Sequence, residues 1–181
     1  MAHEPARRGS LPHRLPVRDV TLLPIQPIDA PTLDQIAEAL RSRGVSVQLK
    51  PPILRPRDSY DARRRQFRAD VLLERVARSA ERPVVGITDG DCYAGKLNFV
   101  FGMADVDGGT AVVSLSRLRA GVSARKFVAR AMKEIFHELG HSVGLGHCEN
   151  PRCVMHFSNS LAEADSKEDQ LCATCMRRVR E

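Results

Sequence analysis

The segment HELGHSVGLGHCENPRCVM, residues 137–155, brings three histidines, a glutamate and two cysteines into one short stretch. His137 and His141 are four residues apart, so on a helix their side chains lie one turn apart on the same face. Gly144 can end that helix and allow the chain to turn back with His147. Three imidazole ligands leave a fourth coordination position open, which is typical of a catalytic zinc site.

Glu138 follows His137 directly and lies about 100° further round the helix, beside the predicted metal and poorly placed to bind it. A carboxylate in that position suits a general base. We therefore hypothesise that a zinc-bound water loses a proton to Glu138, attacks a peptide carbonyl, and that Glu138 returns the proton to the departing amine. The extended spacing HExxHxxGxxH leaves little room for the alternative of ordinary hydrogen-bonded histidines.

Four cysteines form two pairs near the C-terminus: Cys148 with Cys153, and Cys172 with Cys175. Two such pairs are the usual ligand set of a closed, tetrahedral, structural zinc site. In an extended backbone, His147 and Cys148 point to opposite sides, so one loop can serve two metals. Unligated cysteines in a core fit poorly with the polar sequence around them. The sequence thus predicts two Zn²⁺ per chain, one catalytic and one structural.

The helix that carries the histidines has an apolar stripe that repeats every four residues. The stripe consists of Phe127, Ala131, Ile135, Leu139 and Val143. Counting 100° per residue, His137 lies about 200° from Ile135. The stripe should therefore face the core while the histidines face a cleft.

Upstream of this helix, short apolar runs alternate with helical patterns, as in an α/β protein. The predicted strands are residues 19–25, 45–50, 83–88, 97–106 and 110–118, and the predicted helices are residues 31–44 and 59–80. We expect a mixed sheet of about five strands, parallel at first and ending in a hairpin.

The 181 residues suffice for one domain, predicted over residues 19–181, after a flexible basic arm over residues 1–18. The sequence has neither a spanning segment nor a signal peptide, and its five cysteines are an odd number. These features favour a cytoplasmic protein without disulfides, and we expect a monomer. Cys92 stands apart from the pairs and should be a small, partly buried side chain.

The motif HExxHxxGxxH followed by Met155 resembles the metzincin zinc peptidases. With Cys148, Cys153, Cys172 and Cys175 added, the pattern is similar to that of the archaemetzincins, and the resemblance spans roughly residues 19–178. It implies a twisted mixed sheet with an antiparallel edge strand, an active-site helix, a Met-turn at Met155 beneath the histidines, and a C-terminal helix. It also implies His137, His141 and His147 as catalytic ligands, Glu138 as base, and peptidase or aminopeptidase activity.

Two functions remain open at this point. A peptidase would hold an extended peptide against an exposed strand near residues 97–118. Alternatively, the cysteine zinc would shape a binding module for nucleic acid or protein, with a vestigial histidine site. The net charge of +6 permits contact with polyanions, but no aromatic-rich basic patch supports it. A binding module would keep its function after Glu138→Ala, whereas a peptidase would lose turnover.

Overall fold

Eight strands form two sheets in the computed structural model, which describes residues 15–106 and 108–180. The strands are, in chain order, β1 (Asp19–Ile25), β2 (Ser46–Leu49), β3 (Tyr60–Asp61), β4 (Gln66–Arg68), β5 (Val84–Thr88), β6 (Cys92–Tyr93), β7 (Gly102–Asp105) and β8 (Thr110–Ser114). The main sheet has the order β2-β1-β5-β8-β7, with β7 antiparallel to β8 at one edge and the other pairs parallel. The predicted five-stranded mixed sheet with an antiparallel edge strand is confirmed.

Helices cover both faces of the main sheet. They are α1 (Ala30–Ser42), α2 (Ala69–Ala77), α3 (Ala124–Ser142), α4 (Leu161–Ser166) and α5 (Ala173–Arg180). Side chains of β1 alternate between the two faces: Val20 and Leu22 pack with α1 and α3, whereas Leu23 and Ile25 pack with α2. The central strands β5 and β8 are buried on both faces, as their continuous apolar runs require.

The helix predicted over residues 59–80 is wrong in its first half, because helix α2 spans Ala69–Ala77. The carboxylate of Asp61 accepts hydrogen bonds from the backbone N–H groups of Arg63 and Arg64, at 2.9 and 3.1 Å. Arg65 then adopts a left-handed φ of 56°. This side-chain-capped turn outcompetes helix formation and joins β3 to β4. With β6, these strands form a second, three-stranded sheet that the sequence did not indicate.

Helix α3 is the longest helix described and positions the candidate site. The hydroxyl of Ser123 caps its start by accepting from the N–H of Lys126. It ends at Ser142, and Gly144 follows with a φ of 87°, as the chain reversal requires. The predicted stripe is buried from Phe127 to Leu139, but Val143 lies beyond the last helical turn and is partly exposed.

The predicted N-terminal arm, residues 1–18, falls mostly outside the described residues. Of its last residues, Leu15 and Val17 pack against the core on the α1 and α3 side of the sheet. Within residues 15–106 and 108–180, none of the helices has the length and apolar character that crossing a membrane demands.

Candidate active site

Helix α3 and the loop after it bring three imidazole rings together. The ligand nitrogen atoms of His137, His141 and His147 lie within 4.8 Å of one another, and Nε2 of His137 is 3.1 Å from Nε2 of His141. Two nitrogen atoms bound to one tetrahedral zinc at the usual bond length are roughly 3.3 Å apart. The spacing of this pair therefore fits a shared zinc ion.

The hydrogen bonds of the rings fix which nitrogen atoms face the centre of the cluster. Nδ1 of His137 lies 2.8 Å from the carbonyl oxygen of Val154, and Nδ1 of His141 lies 2.7 Å from that of Leu145. A carbonyl oxygen only accepts, so each Nδ1 carries the hydrogen and each Nε2 presents a lone pair. Backbone carbonyls thus hold both rings in the tautomer that a metal needs.

The environment also keeps the rings uncharged. Burial lowers the pKa of His137 well below its ordinary value, and burial likewise lowers the pKa of His141 and His147. Neutral imidazole is the form that ligates metals. The donor set, its tautomers and its charge state all fit zinc.

Glu138 is buried beside this cluster, under the edge strand of the main sheet. A Cβ atom on Gly102 of β7 would lie 2.5 Å from Oε1 of Glu138, so glycine is the residue that lets the strand pass over the carboxylate. Burial, and secondarily the nearby charge of Glu134, raise the pKa of Glu138 well above its ordinary value. A carboxylate with a raised pKa is a stronger base.

Glu138 and the three histidines line one cavity of about 480 Å³, which we call the cleft. One wall is the segment 97–101 continuing into β7, and the opposite wall is α3 with residues 157–159. Within the described residues, β7 pairs only with β8, so its other edge has no strand partner, and Gly102, Met103 and Ala104 of β7 line the cleft. An extended peptide can hydrogen-bond to such an edge.

Met155 lies beneath the histidines in a turn closed by a hydrogen bond from the N–H of His156 to the carbonyl of Cys153. Its side chain is fully buried, and it packs so close to Gly140 that a Cβ there would be 2.2 Å from the Met155 sulfur. The turn thus holds α3 from below while its neighbour Val154 orients His137. Met155 supports the site by packing, as the resemblance implied.

The four paired cysteines form a second cluster, with all four sulfur atoms within 4.8 Å of one another. Sγ of Cys148 is 3.8 Å from Sγ of Cys172, and Sγ of Cys153 is 3.8 Å from Sγ of Cys175. A disulfide requires about 2.05 Å, whereas two thiolates on one tetrahedral zinc are about 3.8 Å apart. The sulfur spacing therefore fits a zinc ion and excludes these two disulfides.

One loop connects the two clusters. His147 contributes to the first and Cys148 to the second, and the N–H of Cys148 donates to the carbonyl of Met155 at 2.9 Å. Nδ1 of His156 in turn donates to the carbonyl of Cys148, at 2.8 Å. These bonds lock the loop against the turn that carries Met155, so the cysteine cluster sets the position of His147.

Cys92 belongs to neither cluster. It is 1% exposed, more deeply buried than the sequence predicted, and burial raises its pKa to about 12. Its thiol donates weakly to the carbonyl of Gly90. Cys92 is therefore a core side chain.

Several residues of the cleft had no role in the sequence analysis. The ring of Phe157 lies 4.9 Å from that of His147. Beside the cleft, the guanidinium of Arg64 donates to the carbonyls of Leu97 and Asn98 in the wall formed by the segment 97–101. Glu134 also lines the cleft. The four-residue spacing from Glu134 to Glu138 was the available signal, since it places both carboxylates on one helix face.

The amino-acid sequence is similar to those of known peptidases. A profile of "Peptidase family M54" matches residues 58–181. The chain is 39% identical over 166 residues to the archaemetzincin of Methanocaldococcus jannaschii, covering 87% of this chain and 92% of that protein. It is 37% identical over 178 residues to the archaemetzincin of Thermococcus kodakarensis, covering 90% and 96%.

Two solved structures share the fold. Archaemetzincin from Methanopyrus kandleri superposes with a TM-score of 0.79 at 34% identity and covers 97% of both chains. Archaemetzincin from Archaeoglobus fulgidus, solved in complex with malonate, gives a TM-score of 0.78 at 32% identity and covers 88% of this chain and 99% of its own.

Proposed function

The chain belongs to peptidase family M54, the archaemetzincin zinc metallopeptidases, and on this premise we propose that it hydrolyses peptide bonds with Glu138 as general base. We propose His137, His141 and His147 as ligands of the catalytic zinc, and the four paired cysteines as ligands of a structural zinc. The observation that carries this proposal is that three inward-facing imidazole nitrogen atoms and a buried carboxylate line the same cleft. Bound there, zinc would act as a Lewis acid toward a carbonyl and lower the pKa of a water.

The residues of the chain perform the remaining steps. The free edge of β7 aligns the substrate backbone, which fixes the scissile carbonyl next to the histidine cluster. Glu138, buried at 5% exposure, takes a proton from the attacking water and delivers it to the amine that leaves. Gly102, which has no side chain, lets β7 pack directly against this carboxylate and hold it in place.

We propose cleavage of internal peptide bonds in preference to aminopeptidase action. An aminopeptidase needs a free anionic group to receive the α-ammonium of its substrate. Of the described residues that line the cleft, the acidic ones are Glu134 and Glu138. Glu134 is already paired with Lys167, and Glu138 is assigned to proton transfer. The alternative of a binding module is not proposed, because the histidines and Glu138 line one common cavity.

The proposal is tested with quenched fluorescent peptides of mixed sequence. We expect the zinc-loaded protein to cleave them, a chelator to abolish cleavage, and added Zn²⁺ to restore it. N-terminal acetylation of the peptide should leave the rate within about twofold if internal bonds are cut. Cleavage that survives chelation would contradict the zinc mechanism. Cleavage that requires a free amino terminus would contradict the preference for internal bonds.

A further inference from the structure

A buried ion pair lies directly behind the cleft. Nζ of Lys167 is 2.9 Å from Oε1 of Glu134, with 0% and 4% of the two side chains exposed. Burying two opposite charges carries a large desolvation cost for each ion, and an apolar pair of similar size is often as stable. Stability alone therefore does not explain this ion pair, and its position suggests that it acts on the cleft beside it.

One member of this ion pair, Glu134, faces the space in which a substrate would bind. Glu134 lies on α3 one turn before Glu138 and lines the cleft, whereas Lys167 follows α4 and is not among the residues that line it. Lys133 is also near, but its Nζ donates to the carbonyls of Ala164 and Asp165, at 3.1 and 2.9 Å. Lys167 is thus the cation that neutralises the carboxylate of Glu134.

The cleft that Glu134 lines has largely apolar walls. The lining side chains of this kind are Leu97, Phe99, Val100, Phe101, Met103 and Phe157. Such walls favour an apolar or aromatic substrate side chain. A free carboxylate among them would instead attract a basic side chain, since charges are weakly screened in a desolvated site.

We propose that Lys167 determines substrate specificity by neutralising Glu134, so that the cleft accepts peptides with an uncharged apolar side chain next to the scissile bond. This inference rests on the proposed peptidase function. The charge of Lys167 also lowers the pKa of Glu138, so its effect on specificity is read from a ratio of two substrates, in which a change in the base cancels. Removing its ammonium group exposes a carboxylate to the substrate and shifts the preference toward lysine or arginine.

The test compares Lys167→Met with the double variant Glu134→Gln/Lys167→Met, which removes both charges. The readout is the ratio of kcat/KM for two peptides that differ only in leucine or lysine beside the scissile bond. We expect the native protein and the double variant to favour leucine. Lys167→Met should shift the ratio toward lysine by about tenfold or more. A ratio unchanged in Lys167→Met, or shifted equally in the double variant, would overturn the proposal.

Binding provides a readout that does not depend on turnover. The chain has no tryptophan, so the fluorescence of a tryptophan-labelled peptide reports its binding directly. The same variants are made in zinc-loaded protein carrying Glu138→Gln, and the Kd ratio of the two peptides should shift in the same direction. If the Kd ratio shifts but the native protein cleaves no peptide, the inference is supported and the proposed function fails. No shift would overturn the inference, whether or not the native protein cleaves peptides.

Circular dichroism checks that each variant is folded. If Lys167→Met does not fold, Glu134→Gln alone replaces it, because it leaves Lys167 as the unpaired charge. We then expect the preference to shift toward a peptide with glutamate in place of leucine. An unchanged preference would overturn the proposal in this arm as well.

Discussion

Replacing Glu138 with glutamine is expected to lower kcat for peptide hydrolysis by about 10²- to 10⁴-fold, the usual contribution of a positioned general base. Glutamine keeps the size of the side chain under Gly102 but cannot take a proton from water. Because Glu138 is not one of the proposed ligands, the zinc content should stay the same. The measurement is steady-state cleavage of a quenched fluorescent peptide, with zinc determined on the same sample.

The matched control is Glu74→Gln on α2. Glu74 is exposed and, among the described residues, forms an ion pair only with Arg78 one helical turn away, so its loss should leave kcat unchanged. Circular dichroism should show native helix content in both variants. A Glu138→Gln protein that keeps its zinc and its full turnover would contradict the assignment of Glu138 as the base.

Replacing Cys175 with alanine is expected to have the largest effect on stability. Cys175 is 1% exposed and its sulfur is one of the four that form the cysteine cluster. A structural zinc supplies much of the folding free energy of the segment it joins. We expect the variant to lose this zinc and at least about 4 kcal/mol of unfolding free energy, which lowers Tm by roughly 10 °C for a chain of this length.

Cys92→Ala serves as the control, because Cys92 is equally buried but belongs to no cluster. It should cost only about 1 kcal/mol, as for an ordinary small core substitution. Calorimetry with and without a strong chelator separates the two cases. Chelation should lower the Tm of the native protein and of Cys92→Ala. It should change the Tm of Cys175→Ala much less. Equal losses in the two variants would mean that the cysteine cluster holds no stabilising metal.

The sequence predicted best those features that arise from local spacing. The four-residue separation of His137 and His141 follows from helical geometry, and Gly144 marked the end of that helix. The five apolar runs gave the main sheet, because each strand was long enough to show its pattern. The cysteine pairs were visible for the same reason.

Features that depend on contacts between distant segments were not predicted. The small sheet of β3, β4 and β6 has strands of two or three residues, too short for a periodic signal. The pairing of Glu134 with Lys167 depends on how the chain after α4 returns to α3. Phe157 reaches His147 only because the loop folds over the cleft. From the sequence alone, a charged or apolar side chain at these positions could contact many others, and only the fold determines which one it contacts.

The assignment of two zinc sites is tested most directly by the zinc content per chain, measured by elemental analysis after exchange into metal-free buffer. We expect two zinc ions in the native protein and one in His141→Ala, which removes a ligand from the histidine cluster and leaves the cysteine cluster intact. One zinc ion in both proteins would contradict this assignment, because the histidine cluster would then hold no tightly bound metal.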